Sequence, residues 1–403
     1  MITVKPFIAL RPGQPYVRAV AALPYDVMDT EEARLMAEGN PHSFLHVDKA
    51  EIDLPKGTDP YSPEVYKKAK ENMLKMINDD ILIQDEEESF YIYKLISGGH
   101  SQCGFAACVS VDEYESGLIK RHELTRPEKE QDRIKHMQAL SAHTGPIFMA
   151  YRNPSAAGSP RDLMANWING NAPIYDFTAE DGIRHSIWKV NDTGVTESFK
   201  KAFEAIPGIY IADGHHRNEA AYKTASDEIP ESKYYLAVIF PHDELAIMDY
   251  NRVVKDLNGM DEPTFLKKLE EVAEIAESPG PVKPAKKNTV GMYLKGKWYS
   301  LTLKPDEGDD YISRLDVSLL QNKIISPVLA VDKQGKGIDF VGGVRGLKEL
   351  ERLVDSGEWA VAFSMYPTSM EELMTVADNK QIMPPKSTWF EPKLRSGLLI
   401  HQF

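Results

Sequence analysis

Cysteine is nearly absent from this chain: Cys103 and Cys108 are the only two in 403 residues. Both fall in a segment that reads as a strand, so neither a disulfide framework nor a thiolate zinc site is available. A reducing, cytoplasmic setting is the simplest expectation. Long apolar runs are missing too. None approaches the roughly 20 residues of a membrane span, and MITVKPFIAL lacks the basic start and apolar core of a signal peptide. No membrane partner is expected. Positive charge is in deficit, with 47 Lys and Arg against 61 Asp and Glu, a net charge of −14. That balance opposes broad contact with nucleic acid or anionic lipid. There is no internal repeat and no low-complexity stretch.

What remains is ordinary globular composition, 42% apolar and 27% charged, at a length that exceeds one core and suggests two or three domains. A composition change over 256–263 sets the expected boundary, giving domains 1–255 and 256–403. Strand and helix patterns alternate through the first part, so the expected class is α/β with a mixed sheet, followed by a smaller α+β part. A Thr30 N-cap opens a short helix, and residues 43–47 read as a strand. Residues 63–78 read as an amphipathic helix with Val65, Tyr66, Ala69, Met73, Leu74, Met76 and Ile77 inward. A hairpin turns at 97–100, and 264–277 reads as a charged helix.

One stretch organises the rest: GIYIADGHHRNEAAYKTA, residues 208–225. A buried strand over 209–212 is broken by Asp213-Gly214, and from His216 a helix with a small-residue face begins. Asp213, His215, His216 and Arg217 thus sit where a strand becomes a helix N-terminus. Unpaired backbone N–H groups and the positive dipole end suit a phosphate or carboxylate there. Gly214 allows the bend and a close ligand approach, and Arg217 can add a bidentate contact. The plainer alternative makes Asp213 an N-cap, with the histidines solvated or bonded to carbonyls.

Three further stretches carry chemistry. In LIKRHELTRPEKEQDRIKHMQAL, His122 and Glu123 precede a helix where a strand emerges. A carboxylate beside His and Arg is a candidate general base, so Glu123 is the candidate catalytic residue, with His122 and Arg126 as neighbours. Within the helix, Glu128, Lys129 and Glu130 read as a solvated face of i,i+4 pairs. Asp26, in Pro-Tyr-Asp-Val, is a loop candidate whose alternative is a turn-forming Asp. Near the C-terminus, IMPPKSTWFEPKLRSG reads as a rigid extended segment. Lys386, Ser387, Thr388, Lys393 and Arg395 offer it donors for an anion, and Trp389 and Phe390 argue against a free arm.

ADGHHR, PYDV, NPHSFLHV, KRHELT and MPPKSTWFEPKLRSGL together resemble the DUF1015 family, a likeness running from the N-terminal tenth to the last ten residues. More distantly, residues 213–217 are similar to the D-G-H-x-R signature of ParB/sulfiredoxin-like proteins, which include free serine kinases. That resemblance implies a ParB/sulfiredoxin-like core and nucleotide phosphate at Gly214, His215, His216 and Arg217. It implies that Asp213 helps position phosphate or metal. Departing from the serine-kinase pattern, His216 stands where a small hydroxyl residue would be. The kinase's catalytic Glu has no motif match here, so Glu123 rests on its own surroundings.

The expected activity is phosphoryl transfer from ATP or ADP, with Mg²⁺, to a small hydroxylated metabolite such as an amino acid, with serine suggested by the resemblance alone. Glu123, Asp213 and His216 are the expected catalytic residues. A non-catalytic nucleotide- or phosphometabolite-binding regulator would use the same cradle. A hydrolase with Asp213, His215, His216 and His122 on a metal ranks last, because adjacent histidines on a turn rarely converge on one ion. No metal ligand is assigned. DNA binding is disfavoured by the acidic balance and the lack of a helix-turn-helix pattern.

Overall fold

The strand His100–Ser110 is buried at every position from Gly104 onward, as a strand covered on both faces must be. In a computed structural model, which describes residues 1–155, 157–331 and 337–403, this strand lies inside a nine-stranded mixed sheet. From edge to edge the order is Ile119–Lys120, Ile209–Asp213, Ile147–Tyr151, Tyr234–Pro241, His100–Ser110, Phe90–Ser97, Arg184–Val190 and Tyr175–Thr178. Val4–Lys5 pairs onto His100–Ser110 beside that path. Ile209–Asp213 runs parallel to Ile119–Lys120 and antiparallel to Ile147–Tyr151, which in turn is parallel to Tyr234–Pro241. The α/β class with a mixed sheet is therefore as expected.

Phe199 and Phe203, from the helix Thr193–Glu204, stack on Phe105 of the sheet with ring centroids 4.4 and 5.0 Å apart. Each such buried ring contributes about 1.5–3 kcal/mol. A second apolar cluster gathers around the helix Pro63–Asn78, whose Val65, Tyr66, Ala69, Met73 and Met76 are buried. Leu74 corrects the expected face: one position past Met73 it is rotated about 100° and stands 49% exposed. A four-stranded sheet orders Leu82–Gln84, Ala9–Pro12, Ile400–Gln402 and Ala142–His143. The C-terminal strand is thus held on both edges.

The chain divides into two compact units, Met1–Leu245 with Pro392–Phe403, and Ala246–Glu391. The last dozen residues, assigned by sequence to the 256–403 part, fold within the first unit. In the second unit, described by itself, an antiparallel sheet orders Ala273–Ser278, Lys297–Leu303, Thr289–Leu294, Val361–Ser364, Tyr250–Val254 and Ile338–Gly342. Ala246–Met248 pairs with Trp389–Glu391.

Three local expectations are corrected. Residues 43–47, expected as a strand, instead lead through Ser43 and Phe44 into a short helix from Leu45. The Ser43 hydroxyl accepts the Leu45 N–H at 3.3 Å, and the helix Leu45–Asp48 buries Leu45 and Val47. The first acidic helix is capped by Asp29, not Thr30, in a capping box with Glu32. The helix expected over 264–277 ends at Glu270, and Ala273–Ser278 is captured as a strand by Lys297–Leu303. Among the described residues no helix is long and apolar enough to cross a membrane.

Candidate functional site

The strand Ile209–Asp213 shifts register against Ile147–Tyr151 between Ile211, opposite Met149, and Asp213, opposite Phe148, a bulge that changes the strand's twist just before the turn. Gly214 follows at φ +94, ψ 30 and is the N-cap of the helix His215–Thr224. Only glycine takes that backbone readily, and space excludes a side chain as well: a Cβ would lie 3.1–3.2 Å from the Arg217 guanidinium. Arg217 folds back beneath the turn instead of reaching outward. It is buried, and Nη1 donates to the Pro146 carbonyl at 2.7 Å. Its Nε has no hydrogen-bond partner among the described residues.

Asp213 is not an N-cap. Its Oδ1 accepts the Gly214 N–H at 2.8 Å, and its Oδ2 accepts from Lys393 Nζ at 2.8 Å. Lys393 is buried, so this pair joins two of the sequence-selected stretches in the first unit. The two adjacent histidines diverge. His216 Nε2 accepts the backbone N–H of Arg126 at 3.1 Å, while the Arg126 side chain is exposed. His215 turns inward onto His122, ring centroids 4.5 Å apart at 88°. Neither histidine follows the solvated alternative.

The reason His122 and His215 meet is topological. Ile119–Lys120 and Ile209–Asp213 are parallel neighbours, with Ile119 opposite Ile209 and Lys120 opposite Tyr210. Residues just beyond both strands emerge on one side, as at the carboxyl end of any parallel pair. Burial holds both imidazoles neutral. His122 is pushed down to about 4, chiefly by burial, against a hydrogen bond to the Ile211 carbonyl and the charge of Asp213. Burial, then the neighbouring His122, carry His215 well below its ordinary value. Glu123 is half-buried beside them, and one ligand atom each from His122, Glu123 and His215 lies within 4.8 Å of the other two.

On the other side of Arg217 a narrow cleft is lined by Tyr25, Asp48, Arg133, Thr144, Arg217 and Ser396, among others. Its free volume is about 10 Å³, room for roughly one water. Arg133 is buried, stacks over the Tyr25 ring at 3.9 Å and is bonded to Asp132 through Nε at 2.9 Å. Asp48 accepts from Thr144 Oγ1 at 2.8 Å. The C-terminal segment closes the cleft wall: Ser396 and Ala22 exchange backbone hydrogen bonds of 2.9 and 3.2 Å. At Gly397, φ is +81 and a Cβ would fall 2.5 Å from the Phe44 ring.

Other expected residues lie elsewhere. Arg395 is buried in the first unit, paired with Asp181 and bonded to His185 at 3.3 Å. Its charge and burial push His185 down to about 3, with burial the larger cause. Lys386, Ser387 and Thr388 belong to the second unit, where Ser387 Oγ donates to Pro384 O at 2.6 Å and the Lys386 carbonyl accepts from Arg252 at 3.2 Å. Asp26 is exposed in the 3-10 turn Tyr25–Val27. Glu130, read as solvated, is instead buried and held by Thr125 and Lys223.

The family model described as "Protein of unknown function (DUF1015)" matches residues 4–318. The chain belongs to the DUF1015 family. None of the curated proteins matches it. Among solved structures it is similar to a conserved hypothetical protein from Pyrococcus furiosus, at 17% identity and a TM-score of 0.38, covering 73% of this chain and 94% of that one. It is similar to a free serine kinase in complex with AMP at 14% identity and a TM-score of 0.38, over 73% and 92% of the two chains. A C-terminally truncated SbnI from Staphylococcus aureus gives 11% identity, a TM-score of 0.40 and coverage of 72% and 85%. Likenesses this distant say nothing about chemistry.

In this DUF1015 chain the cleft residues Tyr25, Asp48 and Arg133 are not ones that sequence reasoning singles out. A signal exists for Arg133. Ile134, Met137 and Leu140 mark the buried face of the helix Pro127–Leu140, and Arg133 falls within a turn of that face. Tyr25, not the adjacent Asp26, is the member of Pro-Tyr-Asp-Val that reaches the cleft.

Proposed function

We propose that this protein binds the phosphates of a nucleotide at the N-terminus of the helix His215–Thr224 and transfers a phosphoryl group to a small hydroxylated metabolite such as an amino acid. One observation supports the reading above others: two buried guanidinium groups, Arg133 and Arg217, line a single cleft, and Arg217 Nε lacks a partner among the described residues. A buried donor left unbonded costs about 1–3 kcal/mol, and a phosphate oxygen would satisfy it. The first N–H groups of the helix, which have no intrahelical acceptor, favour the same charge. The cleft must open to admit more than a water.

In this reading Arg217, Gly214, His215 and His216 hold donor phosphate, and Mg²⁺ supplies charge neutralisation between phosphates and few protein ligands. Glu123 takes the acceptor proton. Asp213, engaged by Lys393, fixes the turn. Incubation with ATP or ADP, Mg²⁺ and a panel of amino acids including serine, followed by phosphorus NMR, tests transfer. A new phosphomonoester signal that disappears in Glu123→Gln is the expected result.

A second reading is a nucleotide-binding regulator without turnover. It is favoured by the engagement of two expected catalytic side chains in structural contacts, Asp213 with Lys393 and His216 with the Arg126 backbone. Under it, Glu123→Gln leaves both affinity and function intact.

A further inference from the structure

We propose that His122, Glu123 and His215 form a binding site for one divalent transition-metal ion of the zinc class. The site shares His215 and Glu123 with the nucleotide reading but needs no nucleotide to form, and three observations support it.

The first is geometric. One ligand atom from each residue lies within 4.8 Å of the other two. His122 and Glu123 lie in the connection just past Ile119–Lys120, and His215 opens the helix that follows Ile209–Asp213, so two parallel neighbouring strands bring them to one end of the sheet. The 4.8 Å is an upper bound on these separations, and metal–ligand bonds of about 2.0–2.2 Å require them to be shorter than that bound in the loaded site.

The second is the state of the imidazoles. His215 is 7% exposed, and its Nε2 has no hydrogen-bond partner among the described residues. The His122 ring is held by a hydrogen bond to the Ile211 carbonyl. This is the arrangement that orients a ligating histidine: one ring N–H donates to a carbonyl and the other nitrogen faces the ion. His216, the other half of the histidine pair, is committed to the Arg126 N–H and is excluded from the set. The structure thus replaces the four-residue set weighed from sequence with a different one, and removes the objection that adjacent histidines cannot converge.

The third is donor chemistry. Two imidazole nitrogens and one carboxylate suit Zn²⁺, Co²⁺, Ni²⁺ or Fe²⁺, whereas Mg²⁺ takes oxygen ligands. Three protein ligands leave at least one position for water or a substrate oxygen. With an ion seated, Glu123 would serve as a ligand, and the ion would supply Lewis-acid polarisation of an oxygen in the open position, in place of the proton acceptance that Glu123 has in the phosphotransfer reading.

The test uses full-length protein stripped by a chelator and titrated without nucleotide, with Zn²⁺ against a chromophoric competitor and with Co²⁺ followed by its visible absorption. One equivalent should bind, with Co²⁺ bands of a four- or five-coordinate site. His215→Ala and Glu123→Gln should each weaken binding by at least about 10–100-fold, the loss that follows removal of an outer-shell partner alone, while His100→Ala should not. Glu123 is half-buried, so Glu123→Gln keeps the test valid if His215→Ala fails to fold. Substoichiometric uptake by the wild type, or equal affinity in Glu123→Gln, would overturn the proposal. Either result leaves nucleotide binding through Arg217 untouched.

Discussion

Lys393 Nζ lies 2.8 Å from Asp213 Oδ2 across 180 residues of sequence. The lysine is nearly buried and the aspartate about a quarter exposed, at 8% and 26% of their side-chain surfaces. Removing one member leaves the other charge partly desolvated. Lys393→Met should therefore destabilise the protein by about 1–3 kcal/mol, below the 3–5 kcal/mol of a fully buried pair. Asp213→Asn combined with it should recover part of that loss. A double-mutant cycle by urea denaturation measures the coupling, and additivity within about 0.5 kcal/mol would show that the contact contributes nothing.

Gly214 should be irreplaceable for two separable reasons. Gly39, at φ +71 with open space for 4 Å around the position a Cβ would take, serves as the comparison. Gly39→Ala meets backbone strain alone, roughly 1 kcal/mol. Gly214→Ala meets that strain and the Arg217 guanidinium 3.1 Å away, so it should cost more, by about 1–3 kcal/mol in all. Equal losses in the two variants would mean that Arg217 does not pack under the turn in solution.

Acid should weaken the first unit through His185. Its folded value is depressed to about 3 against an ordinary 6.5, first by burial and then by Arg395. The unfolded chain therefore takes up the proton first as pH falls, and the stability contribution present above 6.5 declines through the window from 6.5 to about 3. The slope for one such group is about 1 kcal/mol per pH unit. His185→Gln, which keeps a hydrogen-bonding side chain for Tyr93 and Arg395, should flatten the stability profile between pH 6 and 4 by that amount. An unchanged slope would contradict the assignment.

The strands and helices of the first unit are legible in the sequence because their periodicities are strong. The helix Pro63–Asn78 and the hairpin strands Phe90–Ser97 and His100–Ser110 stand close to where apolar spacing puts them. What is not legible depends on partners far away in sequence. Residues 273–278 become a strand only because Lys297–Leu303 offers an edge. The terminal stretch reads in sequence as one extended anion-binding segment, yet Lys393 and Arg395 are engaged by Asp213 and Asp181 within the first unit, while Lys386 to Thr388 belong to the second. Local chemistry marks the strand-to-helix turn at 213–217. It cannot show that Arg217 folds inward or that His215 and His216 part.

Anchoring of a phosphate by Arg217 is tested most directly by thermal shift with ATP, ADP, AMP and pyrophosphate, each with Mg²⁺, on wild type and Arg217→Lys. Lysine keeps the charge but loses the planar fork. A nucleotide at about 100 times its dissociation constant should add about 2.7 kcal/mol of stability. The expected result is a rise in melting temperature for at least one nucleotide in the wild type and little or none in Arg217→Lys. No shift with any of the four in wild type, or an undiminished shift in the variant, would contradict it.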